Sequence, residues 1–427
     1  MIKLKKSNNY LRKAEKLIPA LSQTFSKAPY SYVKNAYPVY VKSGKGSHIF
    51  DVDDNEFIDY ILALGPITLG YSYPAVNKAI KNQLKDGISF SMPHYLEVDL
   101  SEKISKIIPG ADMVRFTKTG SDAGTAAIRA ARAITKKDKI LYYGTGGVWH
   151  DWFTTITSRN SGIPKFNRSL ISKFEYNNLE QLKEKFEDWK GEVATIYMEP
   201  MVFEHPKKNY LENVKKLAHK NNTVLIFDEV VTGFRYSKGG ASEYLGIEPD
   251  IAVWGKGVAN GMPLGLITGK TEYMKIFDDI FYSTSYAGET LSLAAGLAVI
   301  NEMETKPVLK HSWKIGKKLH DGFNKISANL KLNFKMEGLP IRGSIVCYDE
   351  NGKPSNLLRS ILYQELIQRG IMFGPGGIFV SYSHSDKDIK STLLNCENAM
   401  KFIKKELENK PISKILKGEE MKKVMTF

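Results

Sequence analysis

Short runs of consecutive apolar residues recur along the chain, each ending in a polar or glycine-rich turn and each followed by a stretch with helical spacing of Ala, Leu and Lys. Met113-Val114-Arg115-Phe116, Ala194-Thr195-Ile196-Tyr197-Met198, Thr223-Val224-Leu225-Ile226-Phe227 and Ile251-Ala252-Val253-Trp254 are such runs. They are brief, rich in β-branched and aromatic residues and lack polar alternation, which predicts strands buried on both faces in a helix-covered, mostly parallel sheet. From Asp122 to Ile134 the chain is Ala-rich with Ile128, Arg129 and Arg132, which predicts a helix with Ser121 as N-cap and an acidic first turn. The whole pattern predicts an α/β fold. A chain of 427 residues exceeds one typical domain. The expected division is a large domain over 60–315 and a small α+β domain made from 1–59 and 316–427, with no low-complexity linker or repeat.

The chemistry concentrates where these strands end. Asp228 follows the Thr223–Phe227 run, at the carboxyl end of a predicted interior strand, where ligands collect in open α/β sheets. Its ordinary use would be to cap the next segment. Lys256 follows Ile251–Trp254 within Gly255-Lys256-Gly257, where glycines permit close approach and burial favours the neutral, nucleophilic amine. A solvated turn is the commoner fate of such a triplet. Together the two residues ask for one ligand. Pyridoxal 5′-phosphate (PLP) needs a lysine at its aldehyde and a carboxylate at its ring nitrogen. Thr117-Lys118-Thr119-Gly120-Ser121 adds a small-residue turn at a helix start, whose N–H groups and hydroxyls suit a phosphate dianion.

These motifs resemble the class III aminotransferases of PLP fold type I, specifically the branch related to glutamate-1-semialdehyde 2,1-aminomutase. The resemblance runs from Gly44–Asn55 and Leu64–Tyr71 through Met113–Ala123, Ile226–Arg235, Trp254–Gly269 and Ser283–Gly296 to Gly370–Met372 and Phe379–Ile389. It implies that Lys256 bonds to the cofactor aldehyde, that Asp228 pairs with the ring nitrogen and that Gly120 and Ser121 hold the phosphate. It further implies that Val230 packs on one ring face, that Glu199 orients neighbours of the cofactor and that Ser285 reaches the phosphate of a partner subunit. Active sites shared across a homodimer follow from that last role.

Departures from the family pattern bear on substrate. The related branch carries Tyr-His-Gly before a Trp-His, with the aromatic stacked on the cofactor ring, whereas this chain reads Gly144-Thr145-Gly146-Gly147-Val148-Trp149-His150. Either Thr145 leaves that ring face less covered or Trp149 takes the role. Lys27 stands where the aminomutase has an arginine for the substrate carboxylate, and lysine cannot form the bidentate fork. Leu64 replaces a tryptophan, and 373–379 offers no counterpart to a substrate-loop glutamate. The resemblance therefore implies an aminotransferase taking an amino group from a small-molecule donor, L-glutamate, to a carbonyl acceptor that is sugar-like or nucleotide-linked, as in polysaccharide biosynthesis. An intramolecular aminomutase and a non-catalytic binding protein of the same fold are the alternatives.

A formal net charge of +15 raises nucleic-acid or membrane binding. Lysines interleaved with Glu and Asp, without stacked aromatics, read as solvated faces, and neither partner is expected. Cys347 and Cys396 are the only cysteines, which fits a reduced cytoplasm and no cysteine metal site. His150 and His384 lack ligand spacing, so no metal is expected. The 61–71 run is too short and glycine-rich to span a bilayer.

Overall fold

A computed structural model describes residues 2–145 and 148–426. The chain forms two compact units, one of Met1–Tyr73 with Lys310–Val424 and one of Pro74–Leu309 with Met425–Phe427. Residues 60–73, expected in the large domain, hydrogen-bond within the first unit. Tyr60 N–H donates to the Met372 carbonyl, Gly46 N–H to Tyr71 and Tyr382 N–H to Thr68.

The larger unit is built on a seven-stranded sheet. Its strands are β1 (Met113–Thr117), β2 (Lys139–Tyr143), β3 (Ile171–Lys173), β4 (Val193–Met198), β5 (Val224–Asp228), β6 (Ile251–Trp254) and β7 (Gly265–Gly269). They lie in the order β1-β7-β6-β5-β4-β2-β3. The β3, β2, β4, β5 and β6 neighbours are parallel, and β7 runs antiparallel to both β6 and β1.

Each apolar run serves two cores because successive side chains face opposite ways. Val224 and Ile226 join Ile140, Tyr142, Val253 and the alanine face of the Gly120–Thr135 helix on one side. Leu225 and Phe227 join Leu141, Ile196, Met198 and the Tyr210–Lys220 helix on the other. This two-sided burial is why the runs show no polar alternation. It also rigidly fixes the carboxyl ends of β5 and β6.

In the smaller unit, Val41–Lys45, His48–Asp51 and Glu56–Asp59 form an antiparallel sheet, and Ile371–Met372 pairs in parallel with Glu56–Asp59. A second sheet joins Phe334–Leu339, Arg342–Cys347 and Ile378–Phe379. Among the described residues, no helix is long and apolar enough to cross a membrane.

Candidate active site

Three chain segments converge at one edge of the large sheet. Gly255 continues β6 in extended conformation, and Lys256 follows with φ of 44°. That left-handed geometry is costly for a residue with a Cβ and turns the chain sharply away from the sheet. A Cβ on Gly255 would lie 3.4 Å from the Gly120 nitrogen and 3.5 Å from Val230 Cγ1. A Cβ on Gly120 would lie 2.6 Å from Val230 Cγ2, so the helix start and the segment after β5 touch with no room for a methyl group. Gly120→Ala should therefore destabilise the protein by about 1–3 kcal/mol through overpacking, read from denaturant midpoints.

Asp228 ends β5 as a half-buried residue. Tyr197 donates its hydroxyl to Oδ2 at 2.9 Å, and the Val230 N–H donates to Oδ1 at 3.0 Å. Burial pushes the Asp228 carboxyl up to about 6 and nearby Glu199 adds to the rise, against the two hydrogen bonds and the Lys256 ammonium. Glu199, 3% exposed, accepts from the Thr145 N–H at 2.6 Å and from the Thr145 hydroxyl. A carboxylate so poor in positive neighbours is a place where a cationic ring nitrogen would be stabilised.

The turn expected to hold a phosphate differs in detail from expectation. Thr119, not Ser121, is the N-cap, and the helix runs Gly120–Thr135. Thr119 Oγ1 accepts from the Asp122 N–H at 3.1 Å while Asp122 Oδ2 accepts from the Thr119 N–H at 2.9 Å. This reciprocal pair outcompetes a Ser121 cap because threonine and a carboxylate three residues on satisfy two backbone donors at once. It leaves Gly120 and Ser121 as the first two helical residues, at the positive end of the helix dipole.

The remaining expected residues are placed as follows. Trp149 is 71% exposed, its ring edge-on to His150 with centroids 4.2 Å apart. Ser285 is exposed in the loop before the Thr290–Thr305 helix. Gly146 and Gly147 lie outside the described residues. In the smaller unit, Lys27 and Leu64 line one cavity of about 550 Å³ with Leu21, Ile61 and Tyr71. Leu64 closes a turn in which Leu62, Ala63 and Leu64 have φ of 50°, 57° and 74°. Asp59 secures that turn, accepting from Ile61 N–H at 2.7 Å, Leu62 N–H at 3.2 Å and the Tyr71 hydroxyl at 2.6 Å.

Sequence reading missed Tyr197 and the pairing of Thr145 with Glu199. Tyr197 stands two residues before Glu199, the spacing that puts both on one face of β4 at its carboxyl end. That period was the available signal, and it was hidden inside a run that read as core.

A parallel sheet whose strand ends bring together a lysine, a carboxylate and a helix start, with one reversed strand between β1 and β6, defines a PLP-dependent transferase of fold type I. The FumI protein of Sphingopyxis sp. MTA144 shares this fold with a TM-score of 0.90 and 25% identity, over 96% of this chain and 100% of that one. Residues 30–400 match the family model Aminotransferase class-III, and the chain belongs to that family. It is 33% identical to the 3-aminobutyryl-CoA aminotransferase of Cloacimonas acidaminovorans (strain Evry), over 95% of this chain and 99% of the relative. It is also 33% identical to the glutamate-1-semialdehyde 2,1-aminomutase of Acetivibrio thermocellus, over 91% and 96% of the two chains. The protein is a PLP-dependent enzyme of this aminotransferase and aminomutase family.

Proposed function

We propose that this enzyme is an intermolecular aminotransferase that takes the amino group of L-glutamate and passes it to a carbonyl acceptor of sugar-like or nucleotide-linked type. The convergence of Gly255-Lys256, Asp228-Glu229-Val230 and Gly120-Ser121 at one sheet edge carries this reading. PLP supplies an electron sink beside the carbon that bears the amino group. Lys256 would hold the cofactor aldehyde, and its amine is placed to take the Cα proton of a bound donor as general base. Asp228 would pair with the cofactor's ring nitrogen and favour its protonated form, Val230 would pack beside the ring, and Glu199, which accepts from Thr145, fixes the surroundings of Asp228. Gly120 and Ser121 bind the phosphate. Of the two readings of the other ring face, the 71% exposure of Trp149 in the single chain favours a face that Thr145 leaves less covered.

A homodimer is part of the proposal. Phe90, Met92, Tyr95, Val98, Phe281 and Tyr286 are exposed on the larger unit. The 87–98 and 281–290 segments are neighbours there, with Thr290 N–H donating to the Ile88 carbonyl and Glu97 against Gly288. An apolar face of this kind marks an interface, and Ser285 sits in the same segment. Cys347 and Cys396 are both buried free thiols, consistent with a cytoplasmic enzyme.

An aminomutase is the second reading, favoured by relatives of that name such as the Acetivibrio thermocellus protein. Lys27 and Leu64, standing for arginine and tryptophan, argue against it. The test is the absorption spectrum of the PLP-loaded enzyme after L-glutamate is added without acceptor. Loss of the visible band of lysine-bound cofactor, with growth of the near-ultraviolet band of aminated cofactor, is expected. A spectrum that glutamate leaves unchanged would remove glutamate as donor.

A further inference from the structure

A chain of polar contacts behind the phosphate turn has no part in the roles assigned so far. The Trp152 indole N–H donates to Thr125 Oγ1 at 3.0 Å, and His150 Nδ1 lies 2.6 Å from the same oxygen. The indole is a donor only, so the hydroxyl accepts from it and keeps its own proton for a second partner, a role open to Nδ1. With that proton given to Nδ1, the imidazole proton stands on Nε2. That atom is buried and makes no hydrogen bond. It faces Asp122, whose Oδ1 is 3.6 Å away, a charge–dipole contact slightly too long for a hydrogen bond. Burial lowers the pKa of His150 against the pull of Asp122 and Asp151, in keeping with a neutral ring. The other Asp122 oxygen takes the Thr119 N–H and so closes the first turn of the helix.

We propose that His150 is a positioning residue for the cofactor phosphate: with its ring oriented by Thr125, its Nε2–H steadies the Asp122 carboxylate and hence the Thr119–Asp122 turn that presents Gly120 and Ser121. This rests on the reading of Gly120 and Ser121 as the phosphate site. His150 touches neither substrate nor reacting atoms. Its placement explains why a buried ring keeps one donor facing a carboxylate, and why an indole and a hydroxyl are spent on orienting it.

The test compares binding of PLP and of pyridoxal, which lacks the phosphate, to cofactor-free protein by quenching of tryptophan fluorescence. His150→Asn keeps an acceptor near Nδ1 and loses the Nε2 donor, whereas His150→Gln places an amide N–H near Nε2. Expected is a fall of roughly fivefold or more in PLP affinity for His150→Asn, with pyridoxal affinity unchanged and His150→Gln within about twofold of the parent. Equal loss of PLP and pyridoxal, or no loss, would overturn the proposal. Should His150→Asn fail to fold, Thr125→Val, which frees the ring, must give the same selective loss. Ser121→Asp separates the two layers of inference, since it keeps a good helix start but repels a dianion. Unchanged PLP affinity in that variant would sink the phosphate site and this proposal together. Selective PLP loss in Ser121→Asp but not in His150→Asn would sink only the role of His150.

Discussion

Lys256→Ala should lower turnover by at least about four orders of magnitude, because the proposed roles make one residue both covalent anchor and general base. The variant should still fold, since Lys256 lies beyond the buried strand Ile251–Trp254 and its truncation removes no core side chain. Borohydride reduction of the PLP-loaded parent, followed by peptide mass analysis, should leave the cofactor mass on the peptide containing Lys256. The same treatment of the variant should leave none. Residual turnover near the parental rate would mean that another amine does the chemistry and that the convergence at the sheet edge is incidental.

Asp228→Asn should have opposite effects on activity and on cofactor-free stability. In the folded protein the Asp228 carboxyl is raised from 3.8 to about 6. A group raised on folding favours the native state fully only below its unfolded value and loses that contribution as pH climbs through its folded value. The cofactor-free parent should therefore lose about 2–3 kcal/mol between about pH 4 and pH 7 from this one group, and the asparagine variant should not. At pH 8 the cofactor-free variant should melt several degrees above the parent, and below about pH 4 the difference should vanish. Turnover of the PLP-loaded variant should meanwhile drop by about a hundredfold or more, since a neutral amide cannot hold the positive charge on the ring nitrogen. Melting curves at the two pH values settle the first claim. A variant less stable than the parent at pH 8 would overturn it.

The sheet was legible from sequence because its strands are buried on both faces and so appear as unbroken apolar runs. Lys256, Asp228 and the helix after Gly120 were legible because each directly follows or begins such an element. What was not legible is lateral. Tyr197 donates to Asp228 from the neighbouring strand, and nothing in Ala194–Met198 distinguishes a tyrosine that packs from one that also donates. Thr119 rather than Ser121 is the cap because Thr119 and Asp122 bond reciprocally, a Thr-x-x-Asp spacing that stands in the sequence beside the competing Gly-Ser turn. The 60–73 segment was assigned to the large domain by its position in the chain. Its partners, Met372, Phe379 and Tyr382, lie more than 300 residues away, beyond the reach of any local pattern.

The reversed strand β7 has a consequence for how this enzyme can change. The segment from Gly255 to Leu264 leaves the sheet at Trp254 and returns at Gly265, which pairs with Thr117, while Leu266 pairs with Trp254. A Cβ on Gly265 would lie 2.4 Å from Thr117 Oγ1 and 2.6 Å from the Thr119 carbonyl, so the return point is fixed to within the size of a methyl group. Lengthening this ten-residue arch would shift Lys256 against the phosphate turn, and shortening it would pull the two together. Natural drift and laboratory selection for new acceptors should accordingly leave the arch at constant length and accumulate changes where no such double tether exists, beginning with the segments around Lys27 and Leu64.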